Sequence, residues 1–188
     1  MARIPYLDAE DLPDDQRALL DRPANLFRAV VDSPGALRNL FRLGGWIREQ
    51  STLDPRLREL AILQVGYVTA TAYEWSHHLK IGLSAGVTAD DVVALVEESE
   101  GRDRGLPPLD RAGLQAAREM TVDVKITEAT FAELGEALST EHVVDLCMVI
   151  GFYNLIVRLL HTLEIDVEPE YEPLLAEFPL PGSSPEAT

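Results

Sequence analysis

Two stretches of the chain leave almost no polar face, and they set the frame for the rest. From Leu57 to Val68 the apolar residues Leu57, Leu60, Ile62, Leu63, Val65 and Val68 fall on nearly every side of a helical wheel, which predicts a central buried helix. From Val143 to Leu160 apolar positions are equally dense, predicting a second largely buried helix from near Thr140 to about Leu163. Between and around them the spacing is amphipathic. A short helix is predicted over Pro23–Asp32, and another follows Ser33-Pro34 with Leu37, Leu40, Phe41 and Trp46 on its inner side, ending around Gln50.

Start and stop residues sharpen these limits. Ser33-Pro34 reads as a hydroxyl cap followed by proline at the first helical position, and Asp54-Pro55 repeats the signal before the central helix. A further helix is predicted from about Ala72 to Ala85, closed by Gly86. Thr88-Ala89-Asp90-Asp91 resembles a capping box that opens a helix through about Glu98. The charged, Gly- and Pro-containing stretch 100–108 is a loop, with helices expected at Leu109–Thr121 and Glu128–Leu138. No segment alternates with period two, so the expected fold class is all-α. Residues 1–22 read as an acidic arm with one short helix near Asp14–Leu20, and 23–166 as the helical domain. Residues 167–188 read as a proline-rich tail, with the chain from Glu164 on expected to be extended or partly disordered.

Composition narrows the partners. The 188 residues carry 32 Asp and Glu against 16 Lys and Arg, a net charge of −16, which disfavours nucleic acid and anionic membranes as partners. Much of the acid sits at the two ends, where solvated segments explain it. The single cysteine, Cys147, excludes a disulfide within the chain. With no apolar leader segment it points to a reducing cytoplasm. The longest uncharged run, Leu146–Val157, is too short to span a bilayer.

Candidate chemistry is confined to one stretch. On the predicted helix from Ala72, Trp75, Leu79 and Gly82 form one line and Glu74, His78, Ile81 and Ala85 the adjacent one. Ser76, His77, Lys80 and Ser84 fall opposite, so His77 is expected to face solvent. Glu74 and His78 are neighbours at i, i+4 on the border of the buried face. Glu59 is a lone carboxylate in the central helix, about twelve residues before the turn. Two arrangements fit this spacing. Glu59 meets His78, giving a Glu–His–Glu cluster able to move protons. Alternatively, Glu59 pairs with an arginine such as Arg56 or Arg158 while Glu74 and His78 form a surface pair.

A metal is not expected. Glu74-x-x-His77 has half the spacing of a di-iron site, but no second copy exists, and His-Glu-x-x-His is absent. His142 and His161 lie at helix ends, and Cys147 has the surroundings of a small core residue. In Gly151-Phe152-Tyr153-Asn154, Gly151 suits a close helix contact, or else Tyr153 or Asn154 points into a pocket.

The segments Leu57-Arg58-Glu59-Leu60, Tyr73-Glu74-Trp75-Ser76-His77-His78 and Ala85-Gly86-Val87-Thr88 together resemble the carboxymuconolactone decarboxylase family, within the alkylhydroperoxidase D-like superfamily. The likeness is most specific over about 54–95, and Gly151-Phe152-Tyr153-Asn154 also looks like the longer members. In the peroxidase branch a glutamate precedes a Cys-x-x-Cys pair and a histidine. Those positions are Glu59, Thr71, Glu74 and His78 here, so the thiol chemistry has lost its nucleophiles. The decarboxylase branch carries glutamate and histidine where Glu74 and His78 stand.

The resemblance implies an alkylhydroperoxidase D-like helical bundle that forms a homo-oligomer, often a trimer or hexamer. It implies a lyase or isomerase that acts without a cofactor on a small lactone, enol or carboxylate. Loss of carbon dioxide would leave a dienolate for His78 to protonate, with Glu59 brought toward it and Glu74 as second partner. Tyr67, Thr71 and Trp75 are the expected substrate contacts, and Arg56, Arg58 and Arg158 the candidates for a substrate carboxylate. The competing expectation is a non-catalytic helical oligomer that binds a small apolar ligand or a protein partner.

Overall fold

A computed structural model of the chain describes residues 2–180. Among these residues there are nine α-helices and no strand: α1 (Asn25–Val30), α2 (Pro34–Glu49), α3 (Pro55–Val68), α4 (Ala72–Ser84), α5 (Ala89–Ser99), α6 (Pro108–Val122), α7 (Glu128–Ala137), α8 (Thr140–Leu163) and α9 (Glu172–Glu177). Helix α3 is the axis of the bundle. Every residue from Leu57 to Tyr67 is buried, because α4, α6 and α8 pack around it on separate sides.

The local start signals differ in what they do. Asp54 caps α3 with its carboxylate, accepting from Leu57 N at 2.8 Å. Thr88 and Asp91 exchange both bonds of a capping box at the start of α5. Ser33 makes no side-chain cap, and α2 starts on the fixed φ of Pro34 at its first turn.

Helices α3 and α4 form a tight antiparallel hairpin. Ala70 turns the chain at φ 49°, a left-handed conformation that is strained for alanine, and Thr71 N donates back to Gly66 O at 2.9 Å. Two glycines let the helices approach. A Cβ on Gly66 would lie 3.2 Å from Trp75 N, and one on Gly82 would lie 3.5 Å from Glu59 Cβ. Glu59 therefore stands level with Gly82, one helical turn beyond His78.

Both ends of the chain are tied down. The arm has short 3-10 turns at Ala9–Asp11 and Arg17–Leu20 in place of the single expected helix. It is pinned by Arg3 N to Leu163 O at 2.8 Å and Leu7 N to Arg28 O at 3.1 Å. The segment after Glu164 is not extended as expected. It forms a 3-10 turn at Pro169–Tyr171 and α9, which packs on α4, and Leu180 is buried. Pro169 and Pro173 stand at helix starts, and Trp75 Nε1 donates to Phe178 O at 2.8 Å. Residues 181–188 of the expected tail lie outside the described residues.

Helix α8 is 24 residues long and, by length and composition alone, apolar enough to cross a membrane. Most of its apolar stretch is buried inside the protein, which is the situation of a core helix. Gly151 faces outward with open space beside it, so no helix among the described residues approaches it closely.

Candidate active site

The α3–α4 hairpin decides between the two arrangements open to Glu59. Glu59 is eleven residues before Ala70 and His78 eight after it. The mismatch of three residues is roughly 4–5 Å along the helices, which a glutamate and a histidine side chain span. His78 Nδ1 donates to Glu59 Oε2 at 2.7 Å. On the ring's other side, His78 Nε2 lies 3.0 Å from Glu74 Oε1. That second contact is off the direction of a good hydrogen bond, and Glu74 Oε1 has no well-aligned donor.

An arginine does reach Glu59, but it is Arg58. Its Nε donates to Glu59 Oε1 at 3.0 Å, leaving Oε2 to His78. The Arg58 guanidinium also approaches the carbonyls of Ile47 and Arg48 at 3.4 and 3.5 Å. These are among the last carbonyls of α2, where a cation also suits the helix dipole. Arg56 pairs instead with Asp91 and Asp110, and Arg158 with Asn154. The result is a buried row of Arg58, Glu59, His78 and Glu74, all under a tenth exposed.

Charge in this row is set by its neighbours. Burial opposes an imidazolium, but the carboxylates of Glu59 and Glu74 outweigh it and push the His78 pKa up to about 9. Burial likewise opposes ionisation of Glu59, while His78 and Arg58 hold its pKa below the ordinary carboxylate range. At neutral pH His78 is an imidazolium held between carboxylates.

The row opens at one end. Glu74 and His78 lie in the wall of a cavity of about 750 Å³, together with Tyr73, His77, Phe152 and Tyr153. Glu59 and Arg58 stand behind that wall. The Tyr153 ring meets His78 edge-on at 4.7 Å between centroids. Burial raises its phenol pKa far above the usual range, reinforced by the carboxylates of Glu74 and Glu59, so the group is a neutral donor.

His77 does not face solvent as expected. It stacks between Tyr73 and Tyr171 at 4.0 and 3.8 Å, with Nε2 3.2 Å from Glu168 Oε2. Glu168 also accepts from Asn25 N at 2.6 Å and Tyr73 OH at 3.1 Å. The wheel placed His77 on the polar side correctly, but the segment after α8 folds over that side. Nothing in the spacing of α4 announces this cover. The apolar spacing of Tyr171, Leu174, Leu175 and Phe178 was the available signal.

Tyr67, Thr71 and Trp75 lie elsewhere and do not line the cavity. Tyr67 and Trp75 pack on each other at 5.8 Å in the core beneath α5, because they project from the opposite sides of α3 and α4. Thr71 Oγ1 is bonded to Thr69 Oγ1 and His161 Nε2, each at 2.8 Å, and secures the hairpin turn to α8. Of the last segment considered, Tyr153 points into the cavity, whereas Asn154 donates to Thr121 Oγ1 at 3.0 Å. Cys147 is half-buried, with its thiol pKa raised by burial. Among the described residues no group of three or more His, Cys, Asp and Glu side chains is arranged to hold a metal ion.

Residues 34–119 match the carboxymuconolactone decarboxylase family, a span that contains α2 to α5, most of α6 and the whole charged row. No functionally curated protein matches the chain. Among solved structures it is similar to an alkylhydroperoxidase AhpD core, an uncharacterized peroxidase-related protein from Ralstonia eutropha JMP134. The two share 21% identity over 90% of this chain and 94% of the other, with TM-score 0.67. It is also similar to a variant of the debrominase Bmp8 in complex with 2,3,4-tribromopyrrole, at 16% identity over 95% and 98% of the two chains and TM-score 0.77. A peroxidase-related protein from Silicibacter sp. TM1040 matches at 19% identity over 90% and 92%, with TM-score 0.70. At these identities the likeness is one of fold.

Proposed function

We propose that the chain, whose residues 34–119 match the carboxymuconolactone decarboxylase family, is a lyase or isomerase acting by proton transfer on a small lactone, enol or carboxylate. The observation that carries this is His78, charged at neutral pH and buried between two carboxylates at a cavity wall. A protonated imidazole is the acid that a dienolate needs. On a lactone acid, the bond to the carboxylate breaks, carbon dioxide leaves, and the electron pair moves into the conjugated carbonyl. His78 then delivers its proton to carbon and recovers one from solvent.

The roles divide by position. Glu59, behind the wall, fixes the Nδ1 proton and the ring's orientation, while Nε2 is the nitrogen at the cavity side. Glu74 shares the charge without a well-aligned bond to Nε2, which leaves that proton free to be given up. Thiol-based peroxide reduction lacks its nucleophile, since Thr71 and Glu74 occupy the cysteine positions. The homo-oligomer, a trimer or hexamer, belongs to the same proposal. Its support is an exposed apolar line on α8 formed by Val144, Met148 and Leu155.

One observation favours a second function, a non-catalytic helical oligomer that binds a small apolar ligand: Glu59 is held by Arg58 as well as by His78. Turnover separates the two. With a panel of unsaturated lactone acids and enols, His78→Asn is expected to lower the rate by about a hundred- to ten-thousand-fold, the usual weight of a general acid. Glu59→Gln should lower it in the same direction. Unchanged turnover in His78→Asn overturns the enzyme and favours the binder.

A further inference from the structure

The cavity wall carries two arginines that the acid–base row does not use, Arg22 and Arg48, and only Arg48 is placed beside Phe152. Arg56, Arg58 and Arg158, the arginines near the site in sequence, are engaged by Asp91 and Asp110, by Glu59, and by Asn154. Arg48, near the end of α2, is different. It lines the cavity at its exposed rim and makes no ion pair among the described residues. Its guanidinium folds back one turn over Gly44, with Nη1 3.5 Å from the point a Cβ there would occupy. Phe152 Cζ is 3.5 Å from the same point. The missing side chain of Gly44 thus leaves the guanidinium beside Phe152 and next to the Tyr153 side of the wall.

Tyr153 completes the arrangement. Its hydroxyl has no hydrogen-bond partner among the described residues, although the residue is buried and its ring is fixed against both His78 and Phe152. The acids in the same wall are otherwise placed. Glu74 faces His78, and Glu168 is held by His77, Tyr73 and Asn25 N. Asp21, Glu49 and Glu170 are exposed and do not pair with Arg48. The wall between is apolar and aromatic, with Leu26, Phe27, Leu40 and Phe41. A flat apolar body with a carboxylate at one end matches this distribution.

We infer that Arg48 is the specificity-determining residue of the cavity, holding a substrate carboxylate while the Tyr153 hydroxyl donates to an oxygen of the same molecule beside His78. This rests on the proton-transfer site proposed above and names the group by which its substrate is recognised. A guanidinium suits the task because it offers parallel donors to both carboxylate oxygens.

Calorimetric titration of the full chain at pH 7 with benzoate and with benzamide, its neutral near-isostere, tests it. Benzoate is expected to bind at least ten-fold tighter than benzamide. Arg48→Gln should abolish that preference and Arg48→Lys restore part of it, with thermal midpoints confirming that both variants fold. Tyr153→Phe should weaken benzoate several-fold. His78→Asn is expected to keep the preference, so loss of turnover there is read apart from ligand recognition. Equal binding of the two probes, binding of neither, or a preference that survives Arg48→Gln overturns the inference. So does a preference that is removed by Arg22→Gln, the other arginine of the wall.

Discussion

Arg56 and Arg58 are two residues apart on the same buried helix, and each anchors a charged cluster of a different kind. Arg56 joins α3 to α5 and α6. Its guanidinium meets Asp91 at 2.6 Å and Asp110 at 2.8 Å, and Asp91 is also part of the capping box of α5. The hydrogen bond to Asp91 leads the effects that raise the Arg56 pKa further, and the Asp91 carboxyl is held down in turn. Every charged group in this cluster is committed to a partner. Arg58 begins a row that runs through Glu59 and His78 to Glu74 and ends on a cavity. Its last contact is poorly aligned, and its central group changes charge near pH 9. A charge cluster closed on itself is a clamp, whereas one with a titrating member and an open end is equipped for chemistry.

The largest test of this contrast is Glu59→Gln. It leaves an imidazolium and a guanidinium buried against one lost charge, and a broken buried pair costs about 3–5 kcal/mol. Urea denaturation at pH 7 should show that loss, together with a His78 pKa driven down. A loss under 1 kcal/mol would mean that the row is not charged as described.

Next comes the pH dependence of the unaltered protein. His78 keeps its proton to about pH 9 when folded but only to about 6.5 when unfolded. Its contribution, about 3 kcal/mol on the linkage relation, is fully present below pH 6.5 and lost as pH rises through 9. Glu59 works in the other direction: with its pKa depressed, its contribution is present above the normal glutamate range and lost as pH falls. Denaturation curves at pH 6.5, 8 and 10 should therefore show stability declining toward alkaline pH. In His78→Asn the decline between pH 6.5 and 8 should disappear, while the loss near pH 10 from buried tyrosines such as Tyr153 should remain.

The Arg56 clamp should behave otherwise. Arg56→Gln is expected to cost roughly 2 kcal/mol, less than a fully buried pair because the guanidinium is partly exposed. The same pH series should keep the alkaline decline seen in the unaltered protein. A changed pH profile would show that the two clusters are coupled through α3.

Helix starts give the smallest effects. Thr88→Ala removes a cap whose hydroxyl accepts from Asp91 N and should cost about 1 kcal/mol. Ser33→Ala removes a hydroxyl that caps nothing, and should fall within about 0.5 kcal/mol of zero.

That last pair also shows where the sequence is informative. Asp54-Pro55, Thr88 and the dense apolar stretches specify their helices through local chemistry, and α3, α5 and α8 begin where those signals lie. Ser33 carries the same local signal without making the bond, because the φ of Pro34 already starts α2. Glu74 and His78 are legible as neighbours because one helix holds both. Glu59 is not, since its approach depends on the Ala70 turn and on Gly82 bringing two helices together. The cover over His77 is harder still. Glu168 and Tyr171 are some ninety residues away, and only tertiary packing brings them to α4.

The most direct measurement is an NMR titration of the His78 imidazole in the folded chain, assigned by its loss in His78→Asn. A pKa near 9, falling in Glu59→Gln, is the expected result. A pKa at or below 6.5 that ignores Glu59 would contradict a charged Glu59–His78–Glu74 row at the cavity.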